Sequence, residues 1–130
     1  MKGVYILGIH IVKPIYIKIG ALGKIYFEKG KYVYVGSAQN SLEKRIARHL
    51  SKNKKTKWHI DYLLLNKNVF VKKVFYKVAP RSEEEKVACK ILQFGIPIKK
   101  FGSSDSKCVS HLFKVNDFDF VYGFGFTSLM

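Results

Sequence analysis

Residues 32–50 read YVYVGSAQNSLEKRIARHL, and the periodicity of the sequence changes halfway through them. Residues 32–35 are aromatic and β-branched, which is typical of a short strand. Gly36 then permits a sharp turn at the strand end. Over residues 42–51 apolar side chains recur at helical spacing, and Asn40 or Ser41 can cap the first turn. This stretch predicts a strand, a turn and a helix that carries Arg45, Arg48 and His49.

The residues on either side of this stretch predict a small antiparallel sheet. Residues 3–12 are predicted to form a strand. Residues 15–19 and 24–27 alternate apolar and polar side chains around a Gly-rich turn, which predicts a hairpin. Later segments predict helices at 58–65 and 83–93, strands at 69–78, 112–115 and 118–122, and a Gly- and Ser-rich loop at 94–107. The expected fold class is α+β: one domain over residues 1–130, with an antiparallel sheet flanked by helices and a hairpin inserted between the first and last strands of residues 1–36.

The charge of the chain is strongly basic and unevenly distributed. The net charge is +15, from 24 Lys and Arg against 9 Asp and Glu. Residues 1–79 contain 17 of the basic and 3 of the acidic side chains. A field of one sign favours a polyanion, and nucleic acid is the commonest such partner. A lysine-rich solvated surface is the alternative. A membrane surface is the weaker option, because no basic amphipathic helix of useful length is present.

The cysteine count and the absence of long apolar runs predict a cytoplasmic protein. Two cysteines are too few for a disulfide framework and lack the partners of a zinc site, so a reducing compartment is expected. Cys89 falls on an apolar helix face and Cys108 in a polar loop. No secretory signal is visible, and no apolar run reaches the roughly 18 residues that a membrane helix requires.

The helix at residues 42–51 carries groups suited to phosphate. Arg45 and His49 are four residues apart and point from the same face. Arginine binds phosphate bidentately, and histidine donates to it or transfers a proton. A plain solvated face is the alternative. The basic side chains expected to contact nucleic acid are Lys44, Arg48, Lys54, Lys55 and Lys57.

Gly3-Val4-Tyr5, followed by Tyr34-Val35-Gly36 and then by Asn40, Arg45 and His49, resembles the GIY-YIG nuclease superfamily. The resemblance implies hydrolysis of a DNA phosphodiester with one divalent metal ion, on a small sheet flanked by helices. It assigns Tyr5 and Tyr34 to the motif tyrosines, one of which helps to deprotonate water. Gly3 and Gly36 become structural motif residues, Arg45 holds the scissile phosphate, and His49 is a polar site residue.

The same resemblance implies a glutamate on a later helix as the ligand of Mg²⁺ or Mn²⁺. The candidates are Glu83, Glu84 and Glu85, which open the helix at 83–93. Glu84 is preferred, because it lies three and four residues before the buried-face positions 87 and 88, and Glu85 is second. A hard carboxylate oxygen is what such a site requires. The alternative is that all three only favour the helix N-terminus.

Most of the remaining chain is similar to one branch of the superfamily, a poorly characterised archaeal and bacterial group sometimes attached to endonuclease III-type glycosylases. The matching segments are residues 27–30, 58–63 and 101–105, with Cys108 and residues 110–112. Two features depart from the pattern: the asparagine that follows the glutamate helix has no equivalent, and Ser106 stands where the branch often has cysteine. The additional residues that either line the site or hold loops are His59, Asp61, Asp105 and His111.

Three functions are compatible with these features. The first is a metal-dependent DNA endonuclease acting in repair or on branched or damaged DNA. The second is a binding module that has kept the fold and lost cleavage, which the missing asparagine favours. The third is an RNA-binding or RNA-processing protein. Because one small core offers limited groove contact, we expect a second copy of the chain or a partner repair protein to supply specificity.

Overall fold

A computed structural model describes residues 1–103 and 106–129 of the chain. Within these residues the strands are β1 (Gly3–Ile11), β2 (Ile15–Lys18), β3 (Lys24–Phe27), β4 (Gly30–Ala38), β5 (Val69–Lys77), β6 (Gly95–Pro97), β7 (Leu112–Val115) and β8 (Thr127–Ser128). The α-helices are α1 (Leu42–Leu50), α2 (His59–Leu64) and α3 (Ser82–Ile91). Two short 3-10 helices, Gly20–Leu22 and Asp119–Phe124, complete the secondary structure of the described residues.

The main sheet has six strands in the order β6-β7-β4-β1-β5-β8, and every pairing is antiparallel. β1 and β4 are the central pair, with Tyr5 opposite Gly36 and Leu7 opposite Tyr34. β2 and β3 form a separate two-stranded sheet. The α+β fold class and the inserted hairpin are therefore confirmed.

Apolar side chains from both faces of the sheet build two cores. Along β1, alternate residues point to opposite faces, as the period of a strand requires. Tyr5 and Leu7 face the side covered by α1, α2 and the hairpin. Val4 and Ile6 face the side covered by α3 and the Asp119–Phe124 helix. The central strands are thus buried on both faces, which explains their continuous β-branched and aromatic sequence.

Local capping fixes the start of the two helices that follow β4. Ser41 has extended backbone, and its hydroxyl accepts a hydrogen bond from the Lys44 amide at 3.2 Å. Asp61 in α2 accepts from the amides of Lys57 and Trp58, at 2.8 and 2.9 Å. Side-chain oxygens thereby satisfy amides that have no partner within the helix.

Three predictions about secondary structure were wrong. Residues 94–107 are not only loop, because Gly95–Pro97 pairs with β7. Residues 118–122 are not a strand, since Asp119–Phe124 is a 3-10 helix whose phenylalanines pack together. The chain also does not turn at Gly36, because β4 continues to Ala38. Gly36 is required for packing, because a Cβ atom at this position would overlap the Tyr5 hydroxyl.

The expectations about the cysteines were also wrong. Cys89 and Cys108 form a disulfide bond with their Cα atoms 5.6 Å apart. Cys89 lies on the exposed side of α3 and not in the core, whereas Cys108 is buried. Spacing in the sequence gives no sign of this pairing. It depends on α3 packing beside the segment that leads into β7.

The helices of the described residues fall short of what a bilayer crossing demands in length and apolar character.

Candidate functional site

A cleft of about 790 Å³ opens at one end of the central strands. The ends of β1 and β4 meet the first turn of α3 and the segment that precedes β7. Side chains from several distant parts of the chain therefore converge on it. The predicted site residues that line the cleft are Tyr5, Tyr34, Gly36, Arg45, Lys57, His59, Glu84, Glu85 and His111.

Tyr5 lies across Gly36, its partner on the neighbouring strand. A Cβ atom at position 36 would overlap the hydroxyl of Tyr5. The glycine therefore lets the phenol lie flat on β4 and reach the cleft. Gly3 has a similar packing reason, since a Cβ there would meet the carbonyl oxygen of Lys77 on β5.

His49 lies behind Tyr5 and does not line the cleft. Its Nε2 and the Tyr5 hydroxyl share a hydrogen bond of 2.6 Å, in which the donor depends on the imidazole tautomer. Burial, followed by the nearby Lys54 charge, lowers the pKa of His49 to about 3. The imidazole is therefore neutral at pH 7. In the described part of the chain, its Nδ1 is buried without a hydrogen-bond partner.

Both motif tyrosines are neutral phenols in this environment. Burial raises the pKa of Tyr5, and the nearby positive charge of Arg45 only partly offsets it. Burial likewise raises the pKa of Tyr34, as do the nearby Tyr5 and Glu84. Each hydroxyl can therefore donate or accept a hydrogen bond at pH 7, while neither is ionised.

Arg45 is held at the edge of the cleft by two contacts. Its Nη1 donates to the Ser37 carbonyl at 2.9 Å, and its guanidinium carbon lies 4.5 Å from the centre of the Trp58 ring. These contacts fix the guanidinium plane without a carboxylate partner. No ion pair involving Arg45 is formed by the described residues. Its charge therefore remains available to an anion.

Glu84 lines the cleft from the first turn of α3. His111 Nδ1 lies 2.9 Å from Glu84 Oε2, so the imidazole and the carboxylate are in contact, although their relative orientation is not that of a hydrogen bond. Burial raises the pKa of the carboxyl, but the polar interactions with His111 and Ser37 outweigh it, so the net pKa is lowered. Glu84 is therefore ionised at neutral pH. Both ring nitrogens of His111 are buried with no hydrogen-bond partner among residues 1–103 and 106–129.

The family model of a domain of unknown function, DUF123, matches residues 4–122. The chain belongs to the DUF123 family. The matched range contains every residue that lines the cleft. No significant match was found among curated proteins or among solved structures.

Two polar residues of the DUF123 domain stabilise the fold and do not line the cleft. Arg48 donates to both carboxylate oxygens of Asp61, at 2.8 and 2.9 Å. The Asp61 side chain is completely buried, so its charge requires this partner. The expectation that Asp61 lines the site is therefore wrong, whereas a contact of the partly exposed Arg48 with nucleic acid stays a prediction.

The predicted nucleic-acid-binding lysines have different positions. Lys54 Nζ donates to the carbonyls of Arg48 and His49, so it caps the C-terminus of α1. Lys44 and Lys55 lie outside the cleft, and only Lys57 lines it. Glu83 pairs with Lys77 and Lys86, away from the cleft. Asp105 lies outside the described residues.

Sequence reasoning missed several residues of the cleft. Arg81 precedes the acidic first turn of α3 and brings a second guanidinium to the cleft wall. The Gly102 amide donates to His59 Nδ1 at 2.9 Å and so holds that ring at the rim. Ser37, Gln39 and Ser106 supply further polar atoms. The polar side chains within residues 37–40 of the sequence could have indicated two of these residues, Ser37 and Gln39.

Carboxylates are sparse in the cleft. In the part of the chain that the structure describes, no group of three or more His, Cys, Asp or Glu side chains could hold a metal ion. Glu84 is ionised and lines the cleft, with Glu85 beside it. Mg²⁺ commonly keeps several waters and uses one or two carboxylates plus substrate phosphates. The donor set fits an ion of that kind and does not fit a closed, all-protein site.

Proposed function

We propose that this DUF123 domain is a GIY-YIG-type endonuclease that hydrolyses DNA phosphodiester bonds with Mg²⁺ or Mn²⁺. The observation that supports it is the convergence of Tyr5, Tyr34, Arg45 and Glu84 on one cleft of about 790 Å³. Core packing accounts for the position of the two buried tyrosines, but it does not require Arg45 and Glu84, which carry charge, to line the same cleft. A second copy or a partner repair protein would supply specificity.

Arg45 would bind the scissile phosphate. Its guanidinium is oriented by Ser37 and Trp58 and has no carboxylate among the described residues to neutralise it. A fixed cation at the position where phosphoryl charge develops stabilises the transition state without reorganisation. Arg81 and Lys57, also in the cleft, would hold the flanking phosphates.

Glu84 would hold the divalent ion, which supplies Lewis-acid stabilisation of the phosphoryl oxygens when it is bound. His111 Nδ1 lies 2.9 Å from one oxygen of the carboxylate and so limits the positions that the carboxylate can take. Side chains that contact a ligating carboxylate in this way orient it and tune its affinity for the ion. Tyr5 and Tyr34 would position the attacking water as neutral phenols, with the Tyr5 hydroxyl held by His49.

A non-catalytic binding module is the second candidate function. The observation that favours it is the scarcity of carboxylates among the described residues of the cleft. The same arginines and lysine would then grip phosphates without hydrolysis. Both functions require nucleic acid, so cleavage is the measurement that separates them.

The test is nicking of supercoiled plasmid, together with single-stranded and branched DNA, by the purified protein with Mn²⁺ or Mg²⁺. We expect cleavage by the wild type and a loss of about 10²-fold or more for Arg45→Ala and Glu84→Gln. Lys67→Ala, an exposed change outside the cleft, is the matched control and should cleave normally. A wild-type protein that binds DNA and cuts none of these substrates establishes the binding module and excludes the enzyme.

A further inference from the structure

The inserted hairpin presents an exposed pair of tyrosines. Tyr16 on β2 is directly opposite Tyr26 on β3, and their ring centres are 4.9 Å apart. Their exposed fractions are 68% and 48%. The other face of the hairpin carries Ile15 and Phe27, which are buried against the main sheet. The tyrosines therefore contribute little to the core and lie on a free surface.

The next cross-strand pair on the same face is Lys18 opposite Lys24. Like charges directly opposite each other destabilise a pair of strands. Neither lysine forms an ion pair within the described residues. Residues 13–29 carry four lysines and one glutamate in all. The arrangement costs the hairpin stability and creates a site where an anion would relieve the repulsion.

We propose that this face, formed by Tyr16, Lys18, Lys24 and Tyr26, binds unpaired nucleotides. Bases stack on exposed aromatic rings, and phosphates pair with adjacent cations. The base faces of a duplex are hidden by stacking, so the ligand is a single-stranded segment. An acidic protein would satisfy the lysines but would leave the exposed aromatic pair without a flat partner.

The hairpin face is separate from the cleft, because none of its four residues lines the cleft. The inference rests on the proposed function only in taking nucleic acid as the partner. It adds a substrate preference: the enzyme would engage DNA that carries a single-stranded flap, gap or branch as well as a duplex.

The test is fluorescence anisotropy with labelled oligothymidylate and with a duplex of equal length. The double variant Tyr16→Ala/Tyr26→Ala should bind the single strand about tenfold more weakly and the duplex as well as the wild type does. Phe70→Ala, which removes another exposed aromatic side chain without changing the charge, is the matched control and should bind both normally. Unchanged affinity of the double variant for the single strand would overturn the proposal.

A second variant keeps the test independent of the tyrosines. Lys18→Gln/Lys24→Gln should reduce the slope of log Kd against log salt concentration for single-strand binding by about 0.7 to 1.4, which is about 0.7 for each phosphate that the variant no longer neutralises. If the variants lose affinity for polyglutamate and keep it for oligothymidylate, the face binds acidic protein and the proposal is wrong. Absence of nicking in every plasmid assay would refute the endonuclease and leave this binding result untouched.

Discussion

His49 is a buried imidazole whose hydrogen bond to Tyr5 makes it part of both the core and the site. Its side chain is 2% exposed, and it packs between the rings of Tyr5, Tyr34 and Trp58. Burial and the nearby Lys54 charge lower the pKa of the ring more than the Asp61 charge raises it, so the ring is held in the neutral state. The helical spacing from Arg45 predicted that the two side chains share a face, but only the packing shows that one reaches the cleft and the other supports it.

His49 should make the protein less stable in acid. Its pKa in the folded protein is lowered to about 3 from the ordinary 6.5. As the pH falls below 6.5 the unfolded chain takes up this proton first, so stability is complete above that pH and is lost between about 6.5 and 3. At about pH 4.5 the loss from this residue is about 2–3 kcal/mol.

Urea unfolding at pH 7 and pH 4.5 measures this effect. His49→Gln, which cannot titrate, should lose about 2–3 kcal/mol less free energy of unfolding between the two pH values than the wild type. Carboxylates such as Asp61 and Glu84 also have lowered pKa values, but they contribute to both proteins. Equal pH dependence in the two proteins would show that His49 is not buried in its neutral form.

At the scale of elements, the site depends on how α3 packs beside the segment before β7. Cys89 follows Glu84 on α3, and Cys108 precedes His111 in the chain. The disulfide therefore joins the two elements that supply the Glu84–His111 contact. A disulfide bond at this place limits the distance between α3 and the segment before β7 in the folded protein. In the unfolded chain it closes a loop and so reduces the conformational entropy of that state.

Reduction of the Cys89–Cys108 bond should lower the free energy of unfolding by about 3 kcal/mol, because it frees a loop with a sequence separation of 19 residues. The measurement is urea unfolding with and without dithiothreitol. Cys89→Ser/Cys108→Ser is the control and should not respond to the reductant. Alkylation of both cysteines in unreduced, unfolded protein would disprove the bond.

At the scale of the whole molecule, the charge of +15 governs association with any polyanion. Seventeen of the 24 basic residues lie in residues 1–79, which include α1, the inserted hairpin and Lys57 at the cleft. Some of these cations already have hydrogen-bond partners within the fold: Arg48 donates to Asp61, and Lys54 donates to the His49 carbonyl. The net charge therefore overstates the number of cations that are free to bind phosphate.

Affinity for duplex DNA should fall steeply with salt, because binding releases condensed counterions. A plot of log Kd against log salt concentration should be linear, and Lys57→Ala should reduce its slope by about 1. Lys67→Ala should leave the slope as in the wild type, since that side chain does not line the cleft. An affinity that does not change with salt would contradict the electrostatic interpretation.

Most of the elements could be predicted from the sequence because their signals are local. The strand at residues 3–12, the hairpin and the helix after Ser41 follow from alternation, turn residues and capping. Gly95–Pro97 was missed because a three-residue edge strand has no periodicity of its own and exists through pairing with β7. The aromatic composition of residues 118–122 predicts a strand, because aromatic residues are typical of strands, but Asp119–Phe124 forms a 3-10 helix.

The sequence by itself determined the α+β class, the basic charge and the residue types of the candidate site, since composition, periodicity and ordered motifs are properties of the linear chain. Only the tertiary structure decided which of those side chains meet. It brought Glu84 and His111 to the end of the central strands, paired the buried Asp61 with the partly exposed Arg48, and joined Cys89 to Cys108. These outcomes depend on packing between residues that are far apart in the sequence. Such packing buries the charged Asp61 beside a partner and leaves the charged Glu84 at the cleft.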